Sequence, residues 1–172
     1  MDSLNRTRNW QNSALAEGSL KNMALIIKRT TANHPDFRAL VKQLDHELWV
    51  ELEEDQGTYD QFNKVEDLPT AVVLYEENEP VGCGCFKRFD ENSVEIKRMF
   101  VRKDKRGKGL SKKILSDLET WAKEEKYEHA VLETSIYFDT ARKLYSTSGY
   151  HVVPNYGPYA DLPESICMKK HL

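Results

Sequence analysis

A mixed α/β fold, one sheet flanked by helices, is what this 172-residue chain predicts, and three observations predict it. Short β-branched runs of strand length alternate with stretches whose apolar residues recur every three or four positions. Turn-forming residues separate the two patterns. The composition, 40% hydrophobic and 31% charged with 8 Gly and 6 Pro, is that of a globular domain. A chain of this size buries about 70% of its unfolded surface.

The elements follow in order. Residues 1–22 carry scattered Asn and Ser, with Leu4, Trp10, Leu15 and Leu20 too sparse for a signal-peptide core. They read as an N-terminal extension, flexible or an alternative start, and the domain as residues 23–172. The run Ala24 to Ile27 opens it as a strand. Pro35 suits a first helical turn, and Phe37, Leu40, Val41, Leu44, Leu48 and Leu52 form one helical stripe that ends before Gly57. The acidic stretch from Glu47 to Asp60 is a solvated face or a cation-attracting rim. Thr70 to Tyr75 and Val81 to Phe86 read as a hairpin, with Gly82 and Gly84 at positions where another group passes closely. A strand from Val94 to Val101 and a turn precede a helix through Leu110, Ile114, Leu115, Leu118 and Trp121, ending near Lys126. Then come a strand at Ala130 to Leu132, a short helix around Ala141, Leu144 and Tyr145 stopped by Gly149, a strand at Tyr150 to Val153, and a last strand at Ser165 to Met168.

The composition excludes several functions. No apolar run approaches the roughly 20 residues of a membrane span. Cys83, Cys85 and Cys167 make no disulfide framework, which points to a reducing, cytoplasmic setting. The five histidines have no metal-ligand spacing, so no metal is expected. The net charge of −3 argues against a nucleic-acid coat. It hides a basic island, however. Residues 97–113 hold nine basic side chains and one acidic, Asp104, a local +8. Such an island is either a solvated lysine-rich face or a site for a compact polyanion.

The island falls on a junction with its own chemistry. A strand ending at Met99, Phe100 and Val101 feeds a loop, and a helix opens at Gly107, Lys108, Gly109, Leu110 and Ser111. Backbone N–H groups at a helix start, with glycines that admit close approach, hold phosphate. Neither a P-loop nor a dinucleotide fingerprint fits the spacing.

Arg106-Gly107-Lys108-Gly109-Leu110-Ser111 resembles the acetyl-coenzyme A signature of the GCN5-related N-acetyltransferases, the GNAT family, with Ser111 in place of the usual final Gly or Ala. Ala141-Arg142-Lys143-Leu144-Tyr145 followed by Gly149-Tyr150 is similar to that family's late helix and next strand. The family's frequent Asn before that helix is absent, and Phe138-Asp139 stands there. The resemblance implies an α/β (α+β) domain with a mixed, mostly antiparallel sheet of about six to seven strands and about four helices. It implies acetyl-coenzyme A as cofactor, bound by Met99, Phe100, Val101, Arg106, Gly107, Lys108, Gly109, Leu110 and Ser111. It implies transfer of the acetyl group to a primary amine of a small molecule by direct attack in a ternary complex. Tyr145 is then the general acid, or else a residue packed on the sheet with Leu144. The base is Glu95, taken to share Met99's side of the strand, or Glu133 in reserve, or a water chain. Glu95 paired with Lys87 or Lys97 is the alternative. Tyr156, Tyr159 and Asp161 border the acceptor pocket or seal the sheet end. The competing reading is a non-catalytic coenzyme A-binding protein. The acceptor, possibly cationic through the acidic stretch, and the oligomeric state are open; pairing of two copies through the last strands would make a homodimer.

Overall fold

The computed structural model describes residues 7–10, 24–52 and 68–172. Eight strands form one sheet: β1 (Thr7–Trp10), β2 (Leu25–Thr30), β3 (Ala71–Glu76), β4 (Glu79–Arg88), β5 (Ser93–Val101), β6 (His129–Ser135), β7 (His151–Val153) and β8 (Ser165–His171). Their spatial order is β1-β2-β3-β4-β5-β6-β8-β7. Among the described residues there are three α-helices, α1 (Pro35–Leu52), α2 (Leu110–Glu124) and α3 (Asp139–Thr147). The strand beyond the expected six or seven is β1, which pairs with β2 from Thr7↔Lys28 to Trp10↔Leu25. The other residues of 1–22, and the acidic residues from Glu53 to Asp60, lie outside the described residues. No described helix is long and apolar enough to cross a membrane.

Two faces of the sheet bury two cores. On one, α2 lays Leu110, Ile114, Leu115, Leu118 and Trp121 against Ile27, Val72, Leu74 and Ile96. This is the stripe a 3.6-residue period demands. Inside it, Arg29 is 5% exposed. It is matched by Asp117 at 3.2 Å and Glu124 at 2.5 Å, because a buried guanidinium requires charge partners. On the other face, Phe37 and Leu40 of α1 pack on Ala71, Val73, Cys83 and Phe100.

Every strand pairing is antiparallel except β5 with β6. That parallel pair lasts only from Ser93↔His129 to Glu95↔Val131. Beyond it β6 stays with β8 as far as Ser135↔Ser165 and leaves the facing edge of β5 without a strand partner. A bulge accompanies the parting. Cys83 faces Phe100 and Cys85 faces Lys97, so Arg98 and Met99 together oppose Gly84. Arg98 sits in the left-handed region at φ 56°. A bulge bends and twists its strand, and here it turns the end of β5 away from β6.

The bulge also reverses the side-chain alternation. Val94 and Ile96 face α2, and after the extra residue so do Met99 and Val101. Phe100 joins the α1 face. The hairpin glycines fit this geometry. A Cβ at Gly84 would meet Met99 Sδ at 2.8 Å, and one at Gly82 would meet Ile114 Cδ1 at 2.8 Å and the Phe100 carbonyl at 2.9 Å.

Candidate active site

Where β5 and β6 part lies a cleft of two adjoining chambers with shared lining residues, the outer one at the loop into α2 and the inner one at β6. The outer, about 660 Å³, is lined by the end of β5, the loop into α2, the start of α3 and the α1 residues Leu44, Glu47 and Leu48. The inner, about 170 Å³, is lined by Lys97, Arg98, Glu133, Thr134, Ser135 and Glu164, among others. Leu44, Leu48, Met99, Phe138, Ala141 and Tyr145 line both.

Most of the residues singled out from the sequence meet in the outer chamber: Met99, Phe100, Val101, Arg106, Gly107, Gly109, Leu110, Ser111 and Tyr145. Gly107 and Gly109 have φ of 80° and 72°, and a Cβ on either would project into open space. Gly109 is also the N-cap of α2, and no side chain caps the helix start. The first-turn amides therefore lack a side-chain acceptor and carry the positive end of the helix dipole. An open, glycine-lined helix start of this kind fits the diphosphate of a nucleotide coenzyme.

Lys108 is elsewhere: its Nζ lies 3.4 Å from Glu76, and it lines neither chamber. Much of the basic island is matched by carboxylates. Arg98 pairs with Asp45 at 2.7 Å, Lys105 with Glu76 at 2.6 Å, Arg106 with Glu47 at 2.5 Å, and Arg102 with Glu79 and Asp104. The Lys105 bond holds the Glu76 carboxyl below its ordinary value despite burial. Glu47, the first of the acidic stretch, is thus an ion-pair partner.

Glu95 does not share Met99's side. The bulge puts Met99 on the α2 face, while Glu95, 3% exposed, meets Lys87 Nζ at 3.1 Å and Lys97 Nζ at 3.6 Å. Tyr156 Oη stands 3.5 Å from it, and Glu95 lines neither chamber. Tyr156 and Tyr159 pack beside it, Lys97 Nζ donating to Tyr159 Oη at 2.9 Å. They too lie outside both chambers, and Asp161 is exposed.

Glu133 does face the inner chamber. It accepts a hydrogen bond from Ser165 Oγ at 2.7 Å. Burial raises its carboxyl above the ordinary value, against the pull of Ser165 and Lys97. Burial also raises the Tyr145 phenol, and the Glu133 charge raises it further, so Tyr145 keeps its proton. One buried acid that stays protonated and one carboxylate of raised basicity therefore share a cleft. Lys97, whose ammonium burial makes easier to deprotonate, borders the same chamber.

Residues 35–150 match the Acetyltransferase (GNAT) family. The chain belongs to the GNAT family. Acetyl-coenzyme A is the family's donor. Among curated relatives, the uncharacterised N-acetyltransferase YsnE of Bacillus subtilis (strain 168) is 34% identical over 100 residues, 57% of this chain and 66% of that protein. An IAA acetyltransferase of Azospirillum brasilense is 34% identical over 102 residues, 59% of this chain and 67% of that protein. The match thus spans about two thirds of each relative. Among solved structures, a candidate acyl-CoA N-acyltransferase from Klebsiella pneumoniae superposes with a TM-score of 0.70 at 30% identity, covering 85% of this chain and 96% of that one. A GNAT acetyltransferase from Elizabethkingia anophelis, crystallised with acetyl-CoA bound, shares the fold at a TM-score of 0.61 and 19% identity over 86% of this chain and 98% of its own.

Several lining residues carried no sequence signal of a place in this site. Leu44 and Leu48 read as helix stripe and Glu47 as the start of the acidic stretch, some sixty residues before the loop, and Glu164 comes from the turn into β8. Ala141 opens the late-helix motif and Phe138 stands just before it, so the motif marked their position without their role.

Proposed function

We propose that this chain is an acetyl-coenzyme A-dependent N-acetyltransferase that acetylates a primary amine of a small molecule by direct attack in a ternary complex. The observation that carries the reading is the two-chamber cleft, with an anion-receiving loop at one end, Glu133 at the other and Tyr145 lining both chambers. Acetyl-coenzyme A supplies a thioester carbonyl carbon for the amine to attack.

The chain's own residues do the rest. The amides and glycines from Arg106 to Ser111 receive the diphosphate. The unpartnered edge of β5 at Met99, Phe100 and Val101 offers backbone groups to the pantetheine arm and to the carbonyl oxygen as charge develops on it. Glu133 takes the proton of the incoming ammonium, whose ordinary pKa lies near 10. Tyr145 Oη gives a proton to the departing sulfur and is restored, through solvent, by the second proton that the attacking nitrogen releases as the amide forms. Holding both reactants in the cleft supplies the larger share of the acceleration, up to about 7–11 kcal/mol in the most favourable systems.

Direct transfer is supported by the cysteines. All three are buried. Burial holds Cys83 well above the ordinary thiol value and pushes Cys85 up to about 12, so neither supplies a thiolate to carry the acyl group. Cys167 is raised by the same cause. The inner chamber also favours a cationic acceptor. Lys97 and Arg98 already face Glu95 and Asp45, whereas Glu133 and Glu164 accept from the neutral hydroxyls of Ser165 and Tyr137. The test is acetyl-coenzyme A consumption against a panel of neutral amines, aminated small molecules and polyamines. Amine-dependent release of coenzyme A, greatest for cationic acceptors at low salt, is the expected result; binding without turnover across the panel contradicts it.

A further inference from the structure

Within the outer chamber the acidic lining residues are Glu47 and Asp139. Asp139 is paired with Arg142 of its own helix. Glu47 reaches across from α1 to the first residue of the anion loop, its Oε2 2.5 Å from Arg106 Nη2. Arg106 is fixed on its other side, Nε donating to the Val101 carbonyl at 2.9 Å and the guanidinium lying 5.8 Å from the Phe100 ring centre. The neighbouring cations are engaged outside the chamber, Lys105 and Lys108 on Glu76 and Arg102 on Glu79 and Asp104. Arg106 is therefore the cation this loop presents to the chamber, and a carboxylate of the same chain holds it.

We propose that Glu47 is a built-in competitor for the coenzyme's diphosphate, holding Arg106 in the empty enzyme and giving it up when coenzyme binds, so that α1 registers coenzyme binding. This rests on the placement of the diphosphate at the Arg106 to Ser111 loop proposed above. Glu47 occupies one edge of this guanidinium and the Val101 carbonyl another, so a diphosphate at the loop competes with the carboxylate for it. Leu44 and Leu48, within a turn of Glu47, line both chambers.

The experiment is calorimetric titration of the full chain with coenzyme A, and separately with inorganic diphosphate, for the wild type, Glu47→Gln, Glu47→Ala and Ser111→Glu, at low and high salt. Exposed ion pairs of this kind are weak. Removing the competitor is therefore expected to tighten both ligands about two- to fivefold at low salt. That advantage should shrink at high salt, and melting curves of the Glu47 variants verify folding. Equal or weaker binding by both Glu47 variants overturns the proposal. Ser111→Glu is expected to lose coenzyme affinity. If it does so while the Glu47 variants gain nothing, the competitor role alone falls; if it binds coenzyme as the wild type does, the diphosphate placement falls and the proposal with it.

Discussion

At the scale of single residues, the proposed acid Tyr145 and the proposed base Glu133 differ in protonation state. The phenol is raised by burial and by the Glu133 charge, so it holds its proton throughout the working range. Tyr145→Phe removes the donor while keeping the ring that packs edge-on to Tyr150 at 5.8 Å. The expected result in steady-state kinetics is a kcat lower by about 10²-fold with little change in the KM for acetyl-coenzyme A. Glu133 must be ionised to act as base, and its raised pKa places the rise of kcat/KM above the ordinary carboxylate value of about 4.3. Glu133→Gln should abolish that limb of the pH profile. The same group affects stability. Because its folded pKa is raised, the favourable contribution is complete below the unfolded value and is lost as pH rises through the folded one. Gln still accepts from Ser165, so Glu133→Gln should melt higher than the wild type at neutral pH, and the gain should vanish at pH 4.

At the scale of elements, two glycines with different causes should respond differently. Gly82→Ala brings a Cβ to 2.9 Å of the Phe100 carbonyl, which is backbone and cannot swing aside. Denaturant melts should show a loss of about 1–3 kcal/mol. Gly109→Ala meets nothing but is held at φ 72°, so it should cost about 1–2 kcal/mol of backbone strain. Gly109 also lines the outer chamber, and calorimetry should show weakened coenzyme binding, which Gly82→Ala should affect less. The elements themselves were legible because each is periodic: the α2 stripe from Leu110 to Trp121 and the β-branched run ending at Tyr75 admit one assignment each. The fine geometry of β5 was not. Even spacing from Glu95 to Met99 implies a shared face only in a regular strand, and the extra residue at Arg98–Met99 separates them. No local composition announces a bulge whose left-handed residue is an arginine. The charge island misled in another way. Its partners Asp45, Glu47, Glu76 and Glu79 come from α1 and the β3–β4 hairpin, so a count along the segment sees the cations and misses what neutralises them.

At the scale of the whole molecule, the sheet splits at one place, and the split joins α1, the loop into α2, β6 and α3 around one cleft. A ligand that fills it ties these elements together. Acetyl-coenzyme A at about 100 times its dissociation constant should add about 2.7 kcal/mol of stability. For a chain of this length that is a rise in Tm of roughly 5–10 °C, which inorganic diphosphate, lacking the pantetheine arm, should not reach. The loop and late-helix motifs marked two walls of this cleft in the sequence. The third wall, α1, is joined to them only by folding. Acetyl transfer to amines in this cleft is tested most directly by the initial rate of coenzyme A thiol release with and without primary amines, for the wild type and Tyr145→Phe. Amine-dependent release is expected in the wild type and should fall about 10²-fold in the variant. Saturable binding of acetyl-coenzyme A with no amine-dependent release from the wild type would contradict it.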